Sequence, residues 1–298
     1  MRIFVSLFLC LCFSATAYAK KDSFSANKTW VRKELTRMGL SKGFIDESLK
    51  QYDTDTFKMV LTLNLMGFMQ PPGQHMNHVT PEAVRAAKKF VGANKKAFDL
   101  AEKKYKVPPS VISSLIWIET RHGEDVGRFH TVSVFLHLLQ ADMKQNREEL
   151  TKLAIQKNKK DGRFTTARIK ELMPERTKKK AQWAREQIIA LAAIRKNKHL
   201  NIKTLRGSYA GAFGLPQFIP SSYRDYAKSF KAKATPNLYK PSDAIMSVAY
   251  YLSKSGWKNR KSSAKVTALM KYNNSRDYAD SILAISKKAT PNRVASSQ

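Results

Sequence analysis

One glutamate of this sequence lies in an unusually apolar stretch, where a carboxyl group could act as an acid. Residues 107–123 read VPPSVISSLIWIETRHG, and Glu119 follows a nearly continuous apolar run. At helical spacing, Glu119 shares a face with Ile112, Leu115 and Ile116. Burial disfavours the charged form of a carboxyl group and raises its pKa. A carboxylic acid that stays protonated near neutral pH is what general acid catalysis needs.

The same stretch carries signals for the two ends of a helix. Pro108 and Pro109 suit a first helical turn, where a missing N–H costs little, and Ser110 can help to cap that turn. Gly123 is a plausible stop. Apolar residues occupy nearly every face between these ends, which predicts a helix that is buried in a core.

A structural role for Glu119 stays open, because acids in ion pairs also have perturbed pKa values. Arg121 or His122 is close enough in sequence to supply the cation. The nearby candidates for a second carboxylate are Glu124 and Asp125. Both follow a glycine in what reads as a polar loop, and we expect them to be solvated.

A second stretch further along the chain has the composition of a groove wall. Gly207 to Tyr223 reads GSYAGAFGLPQFIPSSY, with three glycines, two prolines, four aromatic residues and almost no charge. Glycine allows close backbone approach to a ligand, proline fixes the chain path, and aromatic faces stack on sugar rings or bases. The alternative is a glycine-rich interhelix loop with some buried aromatic side chains.

Four blocks of this sequence follow the order of one protein family. Besides the two stretches above, they are PSDAIMSVAYYL…GW at 241–257 and YNNS at 272–275. Together they resemble the lytic murein transglycosylases of the membrane-bound B type, which implies a mainly α, lysozyme-like fold. The resemblance also implies that Glu119 is the single catalytic acid/base. The positions that match the family's saccharide groove are Ser208, Gln217, Tyr223, Tyr272, Asn273 and Tyr278.

The reaction that the resemblance implies needs one carboxyl group. The acid protonates the oxygen that bridges MurNAc and GlcNAc, and then, as a base, takes the proton of the MurNAc C6 hydroxyl, which attacks C1. The product ends in 1,6-anhydroMurNAc, and no water is consumed. Ser208 and Gln217 would hold the sugar so that proximity replaces the second carboxylate of ordinary glycosidases. The alternatives are a hydrolytic muramidase and a non-catalytic peptidoglycan-binding protein.

Each proposed groove residue also has a plain structural interpretation. Ser208 could satisfy a turn, and Gln217 could tie loop backbone together. Tyr272 and Tyr278 could be core aromatics with a wet hydroxyl. We rank the candidates in the order Glu119, then Gln217, Ser208 and Asn273, with the tyrosines last.

Asn273 has an alternative of its own, as the cap of a following helix. We expect that helix to run from Ser275 through Ala289, and asparagine is a common residue at helix N-termini. In that interpretation its side chain serves the backbone and not a ligand.

The N-terminus has the pattern of a secretion signal. Residues 1–19 combine Arg2, a short apolar run and a small-residue cleavage site ending at Ala19. The run is too short to span a membrane. Cys10 and Cys12 both lie inside it, so the mature chain would have no disulfide, and we expect a periplasmic protein without a stable membrane anchor, or one released beyond the cell.

The net charge of +31, from 54 basic and 23 acidic residues, is high for an enzyme. Such a field attracts nucleic acid, anionic lipid surfaces or an anionic cell envelope. The sequence has no zinc-site spacing or recognisable nucleic-acid-binding motif, and it carries an export signal. We therefore expect peptidoglycan strands and the anionic envelope as partners, no nucleic acid, and a monomer.

The chain divides into one main domain with additions. We expect a signal peptide (1–19), an N-terminal helical region packed on the core (20–98), a lysozyme-like domain (99–290) and a disordered tail (291–298). Within the domain, Asp142 to Trp183 is poor in apolar residues and rich in lysine. We interpret it as a basic helical insertion with a solvated surface.

The remaining patterns are also helical. Residues 27–52 and 80–106 repeat apolar and basic positions at helical spacing, and a Pro-Gly loop from Gln70 to Gln74 separates them. No alternating pattern is long enough for a large sheet. His75 and His78 have ligand-like spacing but no acidic or thiol partners, so we interpret them as loop residues.

Family members commonly carry an acidic calcium loop before the PxDAI helix. Here residues 230–237 read FKAKATPN, with lysine and alanine where oxygen ligands would be needed. Calcium binds several carboxylate or carbonyl oxygens, and lysine supplies positive charge instead. We expect no calcium at this loop and no metal or cofactor in the reaction.

Overall fold

The structure is a computed structural model that describes residues 24–69, 74–195 and 200–290. The predicted signal peptide, most of the Pro-Gly loop at 70–74 and the predicted disordered tail at 291–298 lie outside the described residues.

The described residues are mainly helical, as the sequence predicts. The helices are α1 (Lys28–Arg37), α2 (Lys42–Lys50), α3 (Phe57–Leu65), α4 (Pro81–Ala93), α5 (Lys95–Tyr105), α6 (Pro109–Thr120), α7 (Thr131–Leu139), α8 (Lys144–Asp161), α9 (Thr166–Arg195), α10 (Pro220–Tyr226), α11 (Pro241–Lys254), α12 (Ser262–Tyr272) and α13 (Arg276–Ala289). None of the helices in these ranges is long and apolar enough to cross a membrane. Two short strands, β1 (Phe129–His130) and β2 (Arg206–Gly207), pair antiparallel.

Helix α6 is the buried helix that its composition predicts. Nearly all of its residues are buried, and it packs against α4, α5, α11 and α13. An all-round apolar helix gains stability only when every face is covered, and these four neighbours cover it. Glu119 enters the structure on the last turn of this helix.

The ends of α6 differ from the prediction. The helix stops at Thr120, because Arg121 (φ 50°) and His122 (φ 61°) adopt left-handed backbone conformations before Gly123 is reached. Gly123 is instead the last residue of the short turn that follows α6, and its N–H donates to the Thr120 hydroxyl. Ser110 does not cap the first turn, since its hydroxyl pairs with that of Ser286 on α13.

Two hydrophobic cores meet at the glycine-rich loop. The first core joins the N-terminal helices to α7, α8 and α9, and the second joins α5 and α6 to α11, α12 and α13. Phe213 and Phe218 of the loop belong to the first core, whereas Leu215 belongs to the second. The loop is therefore anchored from both sides, at the place where the two halves of the fold meet.

The prediction of a solvated insertion at 142–183 is wrong for one face of its helices. Ile169 and Met173 are fully buried, and α9 packs along α7 and α10. The error has a simple cause. The buried positions recur every three or four residues, and most of the lysines between them lie on the outer face and dominate the composition.

The loop at 227–240 is held by a buried carboxylate. Asp243, in the first turn of α11, is 5% exposed and accepts hydrogen bonds from the N–H groups of Phe230 and Asn237, both at 2.8 Å. A carboxylate at a helix N-terminus is also stabilised by the helix dipole. Within the described ranges, no group of three or more His, Cys, Asp or Glu side chains is arranged to hold a metal ion.

We expect Ile169→Ala to lower the free energy of unfolding by about 2–5 kcal/mol, because it leaves a cavity in the first core. The exposed neighbour Lys170 provides the control, and Lys170→Ala should change stability by no more than about 0.5 kcal/mol. Urea denaturation followed by circular dichroism measures both. Equal effects of the two substitutions would mean that α9 does not pack as described.

Candidate active site

Glu119 meets one polar partner at the contact between α6 and α13. The residue is half-buried, and its Oε1 accepts a hydrogen bond of 2.5 Å from the hydroxyl of Tyr278. Tyr278 itself is 1% exposed and lies on the first turn of α13. The carboxyl group is therefore desolvated at the edge of the second core, with the Tyr278 hydroxyl as its hydrogen-bond partner.

Burial raises the pKa of Glu119 from 4.5 to about 7, and the hydrogen bond from Tyr278 opposes that rise because it stabilises the charged form. A carboxyl group in this state is partly protonated at neutral pH. It can therefore give up a proton and take one back with little cost in either direction.

The ion-pair alternative for Glu119 is wrong. Among the described residues, Glu119 forms no salt bridge. The guanidinium of Arg121 lies over the Trp117 ring, 5.8 Å from its centroid. The Nε2 atom of His122 lies 2.9 Å from the Ser113 carbonyl oxygen. Burial lowers the pKa of His122 to about 4, so the ring is neutral at pH 7.

Two tyrosines form an aromatic wall beside the carboxyl group. The rings of Tyr272 and Tyr278 are nearly parallel, with centroids 6.4 Å apart. The Tyr272 hydroxyl donates to the carbonyl of Pro216, which ties the end of α12 to the glycine-rich loop. Burial and the charge of Glu119 raise the pKa of both phenols well above the usual value, so both remain neutral donors.

Ser208 and Gln217 both make the structural contacts that their plain interpretations describe. The Ala212 N–H donates to the Ser208 hydroxyl at 3.3 Å, which closes a turn. The Gln217 side-chain amide donates to the carbonyls of Val126 (3.2 Å) and Gly214 (3.0 Å). Neither side chain bonds to Glu119. The Gln217 carboxamide oxygen has no partner among the described residues.

Gly207 shows why the start of this loop requires glycine. A Cβ atom there would lie 2.0 Å from the carbonyl oxygen of Ala212, which is too close for any side chain. The tight turn that contains Ser208 therefore depends on this glycine.

Tyr223 lies on α10, and Asn273 follows α12. Tyr223 is 5% exposed, and its hydroxyl donates to the Pro236 carbonyl at 2.7 Å, so it packs behind the loop. Asn273 is exposed and follows the last residue of α12. The alternative in which Asn273 caps α13 is wrong, because the Ser275 side chain accepts from the Tyr278 N–H instead.

The order in which we ranked the candidate groove residues differs from the order that their contacts with Glu119 indicate. Among the groove candidates, the described contacts join only Tyr278 to Glu119 directly, and Tyr272 stacks on that partner. Glu124 and Asp125 are exposed, which confirms that neither is a buried second carboxylate.

Sequence reasoning missed a turn that lies over Tyr278. The edge of the His75 ring packs on the Tyr278 ring, with centroids 5.4 Å apart. Asp277 holds this turn by accepting hydrogen bonds from the backbone N–H groups of His75 and Met76. Burial lowers the pKa of His78, which lies in the same turn. In the sequence, the only sign of this contact was that Asp277 is next to Tyr278. The turn itself lies about two hundred residues away from Asp277 along the chain.

The chain matches a family of known sequence pattern over most of its length. The model of the family described as "Transglycosylase SLT domain" matches residues 23–268. The protein belongs to this family. The match covers the helix that carries Glu119 and the glycine-rich loop, and it confirms the resemblance that the sequence blocks indicated.

A protein of Escherichia coli is similar to part of this chain. The chain is 30% identical over 179 residues to membrane-bound lytic murein transglycosylase B of Escherichia coli, an alignment that spans 60% of this chain and 40% of that protein. This chain therefore matches less than half the length of that relative.

Solved structures share the fold. The lytic transglycosylase SLT35 of Escherichia coli, in complex with bulgecin A, has a TM-score of 0.62 at 20% identity, over 87% of this chain and 91% of that one. SltB3 of Pseudomonas aeruginosa, in complex with NAG-NAM-pentapeptide, has a TM-score of 0.64 at 16% identity, over 88% and 78%. These likenesses confirm the mainly α, lysozyme-like fold.

We expect Tyr278→Phe to raise the pKa of Glu119 above its value of about 7, because the donor that stabilises the carboxylate is lost while burial remains. NMR titration of 13C-labelled glutamate side chains measures it. The control is Tyr223→Phe, which removes a buried hydroxyl bound at Pro236 and should leave the pKa of Glu119 unchanged. A wild-type pKa near 4.5, or no change in the Tyr278 variant, contradicts the described geometry.

Proposed function

We propose that the protein is an exported peptidoglycan lytic transglycosylase that cleaves the β-1,4 bond between MurNAc and GlcNAc and leaves a 1,6-anhydroMurNAc end. The observation that carries the proposal is the carboxyl group of Glu119, which lies on the buried helix α6 with the Tyr278 hydroxyl as its hydrogen-bond partner and no charged partner among the described residues. Membership of the transglycosylase family supports it, as does the NAG-NAM-pentapeptide bound by the SltB3 relative.

In this proposal Glu119 acts twice on one sugar bond. The protonated carboxyl group gives its proton to the bridging oxygen, and the bond from that oxygen to C1 of MurNAc breaks. The resulting carboxylate takes the proton of the C6 hydroxyl while the C6 oxygen forms a bond to C1. The proton is returned to the enzyme, so the balance requires neither water nor a second carboxylate. A pKa near the working pH suits both transfers.

The neighbours of Glu119 would serve this cycle in different ways. The Tyr278 hydroxyl orients the carboxyl group and stabilises the carboxylate between the two transfers. The free carboxamide oxygen of Gln217 and the groups of Ser208 and Asn273 would hold the sugar with its C6 hydroxyl near C1. Tyr272 would form the wall beside them, and Tyr223 would support the loop from behind.

Glu119→Gln should lower turnover of isolated sacculi by about 10²–10⁴-fold while leaving the fold and wall affinity intact, because an amide cannot transfer the proton. The control is Glu124→Gln, an exposed acid that should retain activity. Mass spectrometry of the released fragments decides the reaction. Anhydro ends support a transglycosylase, and reducing ends would show a water-using muramidase.

Equal fragment release by the wild type and the Glu119 variant would mean that the assigned acid is wrong. Release by neither protein, with wall binding retained by both, would favour a non-catalytic peptidoglycan-binding protein.

We further propose a periplasmic monomer that is retained on the anionic envelope through its basic surface. The net charge of +31 supports this retention, which salt should screen. Binding to sacculi, measured by co-sedimentation, should therefore weaken strongly between low and physiological salt. For the export part, N-terminal sequencing should show that the mature protein begins at Lys20. Salt-independent binding would contradict the electrostatic part, and an uncleaved N-terminus would contradict the export part.

A further inference from the structure

A second concave site lies between α3 and α9, away from Glu119. It is a cavity of about 310 Å³ lined by Leu65, Arg176, Lys179, Lys180 and Trp183, which we call the α3–α9 cleft. Its volume is near the lower end of the range of small-ligand sites, roughly 300–1,000 Å³. It can hold a short segment of a ligand but not a folded partner.

Arg176 enters this cleft without a counter-charge. The centre of its guanidinium lies 4.3 Å from the centroid of the Phe68 ring, which fixes the plane of the side chain. Its Nε is buried and has no hydrogen-bond partner. No carboxylate pairs with Arg176 in the part of the chain that the structure describes.

Lys180, one helical turn further along α9, adds a second cation. Its Nζ lies 4.3 Å over the ring of Trp183, and it too forms no salt bridge among the described residues. Burial lowers the pKa of Lys180, and the charge of Arg176 lowers it further. The contrast is Lys179, whose Nζ lies 2.5 Å from Glu175.

This arrangement is unfavourable in the absence of a ligand. Like charges one helical turn apart repel each other, and burial weakens their hydration. The lysines elsewhere on α9 avoid the cost by facing solvent or pairing with acids. Two half-buried, unpaired cations that face one cavity are therefore complementary to an anionic group.

The cleft adjoins the outer end of the glycine-rich loop. Asn64, next to Leu65, donates through its side-chain amide to the carbonyl of Tyr209 at 2.9 Å. On the other side, Trp183 packs on Phe135 with ring centroids 5.4 Å apart, and Phe135 fills the space against Gly211. The cleft is therefore linked by these contacts to Tyr209 and Gly211 of the loop.

We propose that the α3–α9 cleft binds a carboxylate of the peptide stems on the glycan substrate, through Arg176 and Lys180. This inference rests on the proposed function, because it takes peptidoglycan as the ligand. The planar guanidinium matches a carboxylate in shape, and Leu65 with Trp183 provides apolar walls for the aliphatic part of a peptide side chain. The mixed wall suits one acid on an aliphatic stem better than the repeated phosphates of a polymer.

The test uses the Glu119→Gln protein, so that no ligand is consumed. Two synthetic probes are compared by calorimetry at low salt: GlcNAc-MurNAc-tetrapeptide with free carboxylates, and the same compound with its carboxylates amidated. We expect the free form to bind about tenfold more tightly. Adding Arg176→Gln and Lys180→Gln should abolish that preference and leave the affinity for the amidated probe unchanged.

The matched control removes two other charges, one on α8 and one on α9. Lys159 and Lys170 are exposed, do not line the cleft and form no salt bridge in the described ranges. Lys159→Gln with Lys170→Gln should keep the tenfold preference. A thermal melt checks the folding of each variant, and the midpoint of the Arg176, Lys180 variant should rise because an unpaired like-charge contact is removed.

Three results would overturn the proposal: no preference for the free carboxylates, a preference that survives in the Arg176, Lys180 variant, or equal loss in the control variant. Competition by inorganic phosphate without any carboxylate preference would identify a phosphate site instead. Failure of the proposed function is recognised separately. A protein that discriminates the two probes but, with Glu119 restored, releases no anhydro fragments has the binding site and not the reaction.

Discussion

The desolvation of one carboxyl group at the contact between α6 and α13 is the constraint on which the rest of the structure depends. Burial raises the pKa of Glu119 from 4.5 to about 7, and the Tyr278 hydroxyl limits that rise. The raised pKa means that the destabilisation is absent below pH 4.5 and complete above pH 7. A shift of this size corresponds to about 3 kcal/mol.

The fold bears this cost by fixing the surroundings of the carboxyl group from several directions. Helix α6 packs against α4, α5, α11 and α13, which surround the helix that carries the acid. The Tyr272 hydroxyl and Leu215 both tie the glycine-rich loop to the second core, and Phe213 and Phe218 tie it to the first. These neighbours hold the carboxyl group of Glu119 where it has the hydrogen bond from Tyr278 and no ion pair among the described residues.

The high positive charge has two structural expressions. Along the outer faces of α8 and α9 most cations face solvent, where they cost little and can contribute to attraction of an anionic envelope. In the α3–α9 cleft, Arg176 and Lys180 are half-buried and unpaired, which is unfavourable in the free protein. The second arrangement is the one that indicates a specific ligand, because composition alone does not explain why these two cations are drawn inward.

Elements whose signals are local could be predicted from the amino-acid sequence. The helices at 27–52 and 80–106, the buried character of α6, the candidate acid and the absence of a large sheet in the described residues all follow from spacing and composition. Tertiary structure decided the rest. The Tyr278–Glu119 bond joins residues 159 positions apart, the His75 turn rests on Asp277, and the lysine-rich α9 enters the core. The spacing of apolar residues in the sequence does not predict such contacts, because they depend on how the helices pack and not on what each helix contains.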